Sequence, residues 1–429
     1  MSYPKQQFKH LYSIPSRNGL MRPKKVRGSG YKMVNMGELF AYDRIQGQEM
    51  ELVPMNEKEI ERFAIQPFDL LFARSSLKIE GTGKCSIVLA VPETTTFESH
   101  LIRVRLDRRL ANPTFYYYYF SSWQGKANVQ SIVMQVSAAG IRASELGLLS
   151  VPTPPLPTQH KIASILSAYD DLIENNTRRI AILEEMAQSI YREWFVHFRF
   201  SGHENVKLVD SPLGMIPEGW ECSQVSEVFE TFGGGTPSKK VEEYWDDGDI
   251  TWFAPSDLTK SGNMYSSSSG TCITESGLKK SSAKLFPAYS VMLTSRATIG
   301  VLSISTIPAC TNQGFITCIP NERVSALQLF FWLREQTAKI LNFATGATFK
   351  EITKGNFRKF SYLVPPPDVS EQFNELAAPI GRNIETLIRK QDNLRTTRDL
   401  LLPKLISGKL DVEDLDIDVG MTATQEAVA

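Results

Sequence analysis

Three glycines, two hydroxyl side chains and two lysines lie within nine residues at 232–240, which read Phe-Gly-Gly-Gly-Thr-Pro-Ser-Lys-Lys. Such a composition could hold a phosphate group. A Walker loop, however, needs a lysine directly after its last glycine and Ser or Thr directly after that lysine, and this segment lacks that spacing. It also departs from the methyltransferase pattern Phe-x-Gly-x-Gly at the last position. A tight glycine turn is therefore favoured over a nucleotide site.

The residue patterns of several catalytic sites are missing from the sequence. Common metal-dependent nucleases need an acidic residue two positions before a lysine, and no lysine here has one. The Asn/Asp-Pro-Pro-aromatic motif of amino-methyltransferases is absent, because Asn112-Pro113 is followed by Thr114. The five histidines are scattered and the five cysteines lack CxxC spacing, which argues against a metal site. We expect no catalytic centre, metal or cofactor in this chain.

The 429 residues leave room for two or three domains. The hydrophobic content of 42% and the charged content of 22% are ordinary for a soluble globular protein. No apolar run approaches the ~18 residues of a membrane span, and the polar start is unlike a signal peptide. We expect a cytoplasmic protein without a membrane partner.

The net charge is zero, but the basic residues are concentrated in two zones. Residues 1–37 carry eight Lys or Arg and no acid, and residues 276–321 carry four and no acid. Such zones suit a polyanion bound along selected surfaces, and solvated loops would explain them equally well.

The second half of the chain restates the first at an offset of about 211 residues. In each half a proline cluster, at 151–158 and 364–370, opens a long helical pattern. Apolar residues of the first helix alternate in steps of four and three, a spacing typical of a coiled-coil seam. The seam positions are Ile162, Leu166, Tyr169, Ile173, Asn176, Ile180, Leu183, Ala187, Ile190 and Trp194.

The polar seam residues predict how the two helices pair. Asn176 is the fifth seam position of the first helix, and Gln391 is the sixth of the second. In an antiparallel pair these positions face each other, so the two amides can satisfy one another and fix the register. A parallel pair would set Asn176 against Leu387. We therefore predict an antiparallel coiled coil, favoured over two ordinary amphipathic helices in separate cores.

Short β-branched runs precede each helix and predict mostly-β domains. Segments 66–75 and 286–296 correspond loosely, since each is a strand ending in hydroxyls and an arginine. The aromatic run 115–120 is predicted as a buried helix start. We predict an α+β fold with an internal pseudo-two-fold repeat. Its parts are a first domain at 1–157, a helix at 158–200, a second domain at 201–367, a helix at 368–410 and an acidic, disordered tail at 411–429.

Four segments together resemble the specificity subunit of type I restriction-modification enzymes. These are Ile-Pro-Glu-Gly-Trp at 216–220, the glycine-rich segment 232–239, Gln-His-Lys-Ile-Ala at 159–163 after the prolines, and Leu-Pro-Lys-Leu-Ile-Ser-Gly-Lys-Leu at 402–410. The resemblance covers nearly the whole chain, as recognition domain, helix, recognition domain, helix. The first domain departs from the family pattern, because its opening at 13–25 has no glycine triplet.

The resemblance implies that the chain reads an asymmetric, bipartite target in double-stranded DNA. It also implies two methyltransferase subunits, which modify adenine with S-adenosylmethionine, and ATP-driven restriction subunits, so that S-adenosylmethionine, ATP and magnesium belong to partners. The implied location is the cytoplasm, at the nucleoid. The exposed faces of the helices, with Asp170, Asp171, Glu174, Arg178 and Arg179, would dock the methyltransferase.

The candidate DNA contacts divide into residues that position the duplex and residues that read bases. The predicted positioning residues are Lys24, Lys25, Lys239, Lys240 and Lys350, with Gly234, Gly235, Thr236 and Ser238 forming a turn whose glycines let the backbone approach phosphate. The predicted reading residues are Arg17, Asn18, Arg74 and Arg142 in the first domain and Arg296, Asn312, Gln313 and Thr348 in the second. Arg suits guanine, and Asn or Gln suits adenine.

Two alternatives stay open at the level of the sequence. One is a non-enzymatic coiled-coil scaffold that joins two protein-binding domains and has no salt-dependent affinity for DNA. The other is the same DNA reader serving a different arrangement of methyltransferase and nuclease.

Overall fold

The computed structural model describes residues 3–76, 78–135, 139–344 and 350–417. The chain divides into two compact units. The first unit combines Met1–Ile173 with Asn393–Ala429, and the second unit is Glu174–Asp392. The predicted base-reading residue Thr348 and the part of the predicted tail from residue 418 onwards lie outside the described residues.

A five-stranded sheet forms the centre of the first unit. Its strands, in spatial order, are Tyr12–Asn18, Leu101–Leu106, Leu70–Ala73, Cys85–Val88 and Arg44–Ile45. Neighbours are antiparallel except for the last pair, which is parallel. One smaller sheet consists of the strands Glu51–Val53, Tyr31–Val34 and Thr95–Phe97, and a second consists of Met134–Gln135, Ala139–Gly140 and Ser75–Ser76. A third is formed by Lys5–Gln7 and Ser150–Pro152.

The second unit has a central sheet of the same order and direction. Its strands are Thr231–Gly233, Phe315–Cys318, Val291–Thr294, Leu302–Ser305 and Tyr265–Ser266, and again only the last pair is parallel. The smaller sheets are Cys272–Ile273, Ile250–Phe253 and Cys310–Thr311; Glu221–Gln224 with Ser361–Val364; and the hairpin Leu208–Ser211 with Gly214–Pro217. The predicted internal repeat is confirmed at the level of sheet topology.

Short helices cover the sheets. Those of the first unit are Met36–Ala41, Glu57–Phe63, Pro113–Ser121, Trp123–Gln130 and Ala143–Leu148, and those of the second are Val225–Val228, Pro255–Ser261, Glu275–Lys279, Ala326–Phe343 and Lys354–Phe357. Single 3-10 turns occupy Phe8–Leu11, Lys24–Val26, Ile79–Gly81, His203–Asn205 and Glu242–Tyr244.

The aromatic run lies in the helix Pro113–Ser121. Proline suits the first helical position, and the Asn112 side chain caps the helix by accepting a hydrogen bond from the Phe115 amide at 3.0 Å. All six aromatic side chains of the run are buried. The predicted buried helix start is confirmed, and the run is explained by packing.

Two helices of 40 residues each, Leu156–Phe195 and Pro367–Ile406, follow the sheets of the two halves. In the first unit Asp170 of one helix pairs with Arg398 of the other. In the second unit Thr177 meets Gln391. In each unit the helix segments lie side by side, and residue numbers rise along one segment while they fall along the other. The predicted antiparallel pairing is confirmed.

The polar centre of the pairing differs in detail from the prediction. Asn176 and Gln391 are both buried, at 8% and 3% exposure. The hydrogen bond that the structure describes runs from Gln391 Nε2 to Thr177 Oγ1 at 2.6 Å. The neighbour of Asn176 therefore takes part in the polar contact, and a register role for Asn176 itself stays a prediction.

One charged residue that was predicted on an outward face of the helices is buried. Asp170, predicted on an outward face, is only 8% exposed. Its carboxylate accepts hydrogen bonds from Arg398 Nη1 at 2.5 Å and from the Tyr118 hydroxyl at 2.6 Å. Burial opposes charging of Arg398, but the hydrogen bonds and charges of Asp170 and Asp399 together outweigh burial and raise the pKa of the guanidinium. A buried ion pair thus replaces an apolar contact at this level of the seam.

Each unit completes its core with segments of both long helices. The core of the first unit contains Ile162 and Leu166 of the first helix together with Leu405 and Ile406 of the second. The core of the second unit contains Ala187, Tyr191 and Trp194 of the first helix together with Phe373, Ala377 and Ile384 of the second. The seam residues are therefore part of the domain cores as well as of the helix pairing.

We predict that Arg398→Met destabilises the protein by about 2–3 kcal/mol, because it leaves the Asp170 carboxylate buried without its cation. The double variant Asp170→Leu/Arg398→Met should recover part of that loss, since neither charge then remains buried. Urea unfolding of the full chain measures both. Arg178→Met is the control: it breaks an exposed helical pair with Glu174 and should change the free energy of unfolding by less than about 0.5 kcal/mol. Equal effects of Arg398→Met and Arg178→Met would contradict the prediction.

Candidate nucleic-acid interface

The glycine-rich turn of the second unit follows the strand Thr231–Gly233. A Cβ at Gly234 would lie 1.9 Å from the Asn312 carbonyl oxygen, and one at Gly235 would lie 2.4 Å from the Ala283 amide nitrogen. Neither glycine has a positive φ. Both are therefore required by close packing of the protein's own main chain, which differs from the predicted reason, an approach to phosphate.

Two tryptophans fasten this turn to the domain. The Trp252 indole donates to the Gly235 carbonyl at 2.8 Å, and the Trp245 indole donates to the Ser238 carbonyl at 3.1 Å. The turn closes with a hydrogen bond from the Val241 amide to Ser238 O at 3.2 Å. Lys239 and Lys240, between these anchors, are exposed. The main chain is held and the two ammonium groups face solvent.

Beside the turn, the side chain of Thr236 donates a hydrogen bond to Gln313 Oε1 at 2.5 Å. Gln313 is exposed, and its neighbour Asn312 uses its side-chain oxygen to accept from the Gly314 amide at 2.8 Å. Thr236 thus lies on one surface with Asn312 and Gln313, which are more than 70 positions away in the sequence.

The same surface continues to the remaining candidates of the second unit. The Ser295 amide donates to Gly314 O at 2.8 Å, and the Ala297 amide donates to Lys350 O at 3.2 Å. Arg296 lies between them, and its guanidinium approaches Glu351 at 3.6 Å. The structure therefore brings Arg296 and Lys350 next to the loop that carries Gln313, with part of the arginine charge offset by Glu351.

The first unit contains an equivalent turn, and it begins in the opening segment 13–25, which has no glycine triplet. The Leu20 amide donates to Phe97 O at 2.8 Å, as the Gly235 amide does to Thr311 O at 2.8 Å. The Val26 amide donates to Pro23 O at 3.1 Å, matching the bond from Val241 to Ser238. The segment Pro-Lys-Lys-Val at 23–26 is therefore equivalent to Ser-Lys-Lys-Val at 238–241. Lys24 and Lys25 correspond to Lys239 and Lys240.

A single glycine replaces the triplet in this first turn. A Cβ at Gly19 would lie 2.1 Å from Phe97 O, the same conflict that arises at Gly234. Gly19 lies directly before the anchored Leu20, as Gly234 lies before the anchored Gly235. The absence of a glycine triplet at 13–25 therefore does not remove the turn. The signal in the sequence was the pair of Lys-Lys-Val segments.

Arginines, not tryptophans, fasten the first turn. Arg22 donates to Pro54 O at 3.0 Å and forms an ion pair with Glu59 at 2.6 Å. Arg27 donates to Arg22 O at 2.7 Å and pairs with Glu51 at 2.6 Å. Hydrogen bonding from Arg22 lowers the pKa of Glu59, so this contact contributes to stability above the ordinary value of 4.5 and is lost only in acid.

Fewer cations of the first basic zone, residues 1–37, are unpaired than its composition indicated. Arg22, Arg27 and Lys32 pair with acids that lie beyond residue 37, the last being Glu93 at 2.7 Å from Lys32. Lys24 and Lys25, by contrast, are exposed at the tip of the turn. The predicted positioning residues Lys24 and Lys25 are thus among the exposed cations of this zone.

The predicted base-reading residues of the first unit differ in exposure and in their contacts with the rest of the protein. Arg17 is half-buried, donates to Arg62 O at 3.3 Å and lies over the Phe63 ring. Asn18, Arg74 and Arg142 are exposed. Arg74 and Arg142 lie close together in the fold, because the Ile141 amide donates to Arg74 O at 2.8 Å. Arg17 is therefore committed to internal contacts more than the other three.

The correspondence of segments 66–75 and 286–296 is off by one residue. The Arg74 amide bonds to His100 O as the Ser295 amide bonds to Gly314 O, so Arg74 is equivalent to Ser295. Arg296 then corresponds to Ser75. Phe68 and Tyr289, both with positive φ, mark the true alignment, since each donates its amide at 2.6 Å to the neighbouring strand. Arg74 and Arg296, which match in the sequence comparison of the two halves, therefore occupy different positions in the fold.

The part of the chain that the structure describes contains no group of three His, Cys, Asp or Glu arranged to hold a metal ion. Within the same residues, no helix has the length and apolar character needed to cross a membrane. Cys85, Cys310 and Cys318 are buried, and burial raises the pKa of Cys310 to about 12. Thiols in such surroundings are unreactive.

Comparisons with known proteins agree on one family. A family model described as the type I restriction modification DNA specificity domain matches residues 23–185 and 217–388. The MjaIX type I specificity subunit of Methanocaldococcus jannaschii is 33% identical over 165 residues, which are 38% of this chain and 38% of that relative. The putative MjaX specificity subunit of the same organism is 24% identical over 402 residues, 92% of this chain and 91% of that relative.

A solved structure shares the fold. The type I restriction-modification system S subunit from M. genitalium superimposes with a TM-score of 0.59 at 13% sequence identity. The match covers 94% of this chain and 96% of that one.

The crowding at the two turns gives a direct test. Gly19→Ala and Gly234→Ala should each destabilise the protein by about 2–3 kcal/mol, because the added methyl group meets a carbonyl oxygen that belongs to the main chain. Gly233→Ala is the matched control, since no atom lies within 4 Å of its Cβ position and its effect should stay within about 0.5 kcal/mol. Thermal unfolding of the three variants measures the difference. A Gly234→Ala variant as stable as Gly233→Ala would refute the packing explanation.

Proposed function

The chain belongs to the type I restriction-modification DNA specificity family, and from this premise we propose that it reads an asymmetric, bipartite target in double-stranded DNA. Each unit reads one half-site, and the paired helices set the gap between the half-sites. The chain directs partner subunits to that target and carries no catalytic centre of its own.

One observation carries this proposal: the two units present the same main-chain turn with the same lysine pair and surround it with different side chains. Lysines hold phosphates of any sequence. Side chains beside them discriminate among base edges. Beside Lys239 and Lys240 lie Thr236 and Gln313, whereas the equivalent places in the first unit are occupied by Met21 and Ser99. Equal anchoring with unequal neighbours suits two half-sites of different sequence.

Different residues would contact the phosphates and the bases of the DNA. Lys24, Lys25, Lys239, Lys240 and Lys350 neutralise phosphates. Gln313, held by Thr236, reads a base in the second half-site, with Arg296 and Asn312 beside it. Asn18, Arg74 and Arg142 read the first half-site. Arg17 contributes mainly through its fixed place on Phe63.

The partners follow from the family. Two methyltransferase subunits would bring S-adenosylmethionine, and restriction subunits would bring ATP and magnesium, so the chemistry lies on those chains. The complex would act at the nucleoid in the cytoplasm. Because Asp170 is buried, a docking surface for the methyltransferase would use the exposed Arg178 and Arg179 and the half-buried Glu174 without it.

The experiment that tests the function is single-molecule sequencing of host DNA for methyladenine, with the gene present and deleted. Loss of one asymmetric, gapped motif on deletion is the expected result. A methylation pattern that deletion leaves unchanged, together with no DNA binding by the purified complex, would favour the protein scaffold.

The lysine turns should contribute to affinity without contributing to specificity. Lys24→Ala/Lys25→Ala and Lys239→Ala/Lys240→Ala should each weaken DNA binding across all sequences and reduce the slope of log K against log salt by about 1 per lysine. Lys126→Ala, an exposed lysine on the helix Trp123–Gln130, is the control and should leave the slope unchanged. Fluorescence anisotropy at several salt concentrations measures this. A double variant with an unaltered slope would remove that turn from the interface.

Gln313 should contribute to specificity instead. Gln313→Ala removes the amide, so discrimination at one base pair of one half-site should fall about tenfold or more while other positions keep theirs. Sequencing of methylated DNA from cells carrying the variant reads every position at once. Uniform weakening at all positions would place Gln313 among the phosphate contacts.

A further inference from the structure

Met21 is an unexpected residue for a polar, cationic turn. Its side chain is 75% exposed, the highest value among the large hydrophobic side chains of the described residues. It lies directly before Arg22 and three positions before Lys24. A large apolar side chain held in water next to two lysines contributes nothing to the core of the first unit.

The main chain at Met21 is fixed on both sides. On one side the Leu20 amide donates to Phe97 O at 2.8 Å. On the other, Arg22 donates to the Met21 carbonyl at 3.1 Å while also holding Pro54 and Glu59. The exposure of Met21 is therefore a property of an anchored turn, and the side chain is presented from a defined point.

The internal repeat identifies the counterpart of Met21. Leu20 corresponds to Gly235 and Pro23 to Ser238, so Met21 stands where the second unit has Thr236. Thr236 is hydrogen-bonded to Gln313, and Ser99 stands at the place of Gln313. At this place the second unit offers a hydroxyl with an amide, and the first offers a thioether with a small hydroxyl.

The chemistry of the DNA surface limits what such a side chain can recognise. Donors and acceptors fill the base edges of the major groove, and the C5-methyl group of thymine is the apolar exception. Under the proposed function Lys24 and Lys25 contact phosphates, and Met21, three positions before Lys24 on the same anchored turn, lies at the place where Thr236 and Gln313 of the second unit would face the groove. Methionine, being unbranched and polarizable, adapts its shape to a methyl group.

We infer that Met21 is a specificity-determining residue of the first unit, which packs on a thymine C5-methyl group in the half-site that this unit reads. The inference rests on the proposed function and deepens it. It assigns to the first unit an apolar mode of base recognition, at the position where the second unit uses polar side chains.

Replacing thymine by uracil tests the contact, since uracil lacks only that methyl group. The complete methyltransferase complex is titrated with duplexes of the target found by methylation sequencing, each with one thymine changed to uracil. For the wild type we expect one thymine whose replacement weakens binding about fourfold, the effect of one buried methyl group. For Met21→Ala that duplex and its thymine parent should bind equally.

Two controls separate the contact from general damage. Leu110→Ala removes another exposed apolar side chain, which is 52% exposed. Leu110 follows the strand Leu101–Leu106 at the end where Leu106 pairs with Tyr12, whereas Met21 follows the other end of this strand pair, where Asn18 pairs with Ile102. The Leu110→Ala variant should keep the preference for thymine. Uracil substitutions in the half-site read by the second unit should respond identically in the wild type and in Met21→Ala.

The outcomes distinguish this inference from the proposed function. If the complex binds its target but Met21→Ala keeps the thymine preference, or if no thymine of either half-site is sensitive to uracil, the inference is overturned and the DNA-reading function stands. Weakening by Met21→Ala that is the same on thymine and uracil duplexes indicates insertion between base pairs and also overturns it. If the wild-type complex does not bind the target, the proposed function fails, and the inference fails with it.

Discussion

The structure depends on the antiparallel pairing of helix segments inside each unit. Leu405 and Ile406, near the end of the second long helix, are buried in the core that also holds the first strands of the chain. Tyr191 and Trp194, near the end of the first helix, are buried with the second sheet. Neither core is complete without a segment that the chain supplies from its other half. A shift of register would therefore displace core side chains as well as the seam.

The ion pair of Asp170 and Arg398 further restricts the register of that helix pairing. A hydrophobic seam tolerates sliding by a heptad more easily than a buried carboxylate does, because a displaced charge loses all its partners. Tyr118 ties the same carboxylate to the aromatic helix of the first domain. Asp170 in this way links the pairing of the long helices to the aromatic helix Pro113–Ser121.

The periodic and local features of the fold could be predicted from the sequence, and the features that depend on distant main-chain contacts could not. The seam and the buried aromatic helix follow from spacing within one segment, and the antiparallel direction follows from comparing the polar seam positions of the two helices. The role of Gly19 depends on Phe97 O, which no local pattern reveals. The basic zone was overestimated for the same reason, since its partners Glu51 and Glu59 lie outside it. The specificity family was visible because its motifs are local.

The two turns separate positioning from reading in a physical sense. Close packing at Gly19 and Gly234, with the arginine and tryptophan anchors, fixes the main chain before any ligand arrives, so little conformational freedom remains to be lost on binding. The lysine pair is the same in both units, and under the proposed function it would contribute equally to affinity for any duplex. Discrimination must come from the positions that differ between otherwise equivalent surfaces. Met21 against Thr236, and Ser99 against Gln313, are such positions, and under the proposed function changing them would alter what is read without loosening the turn that presents them.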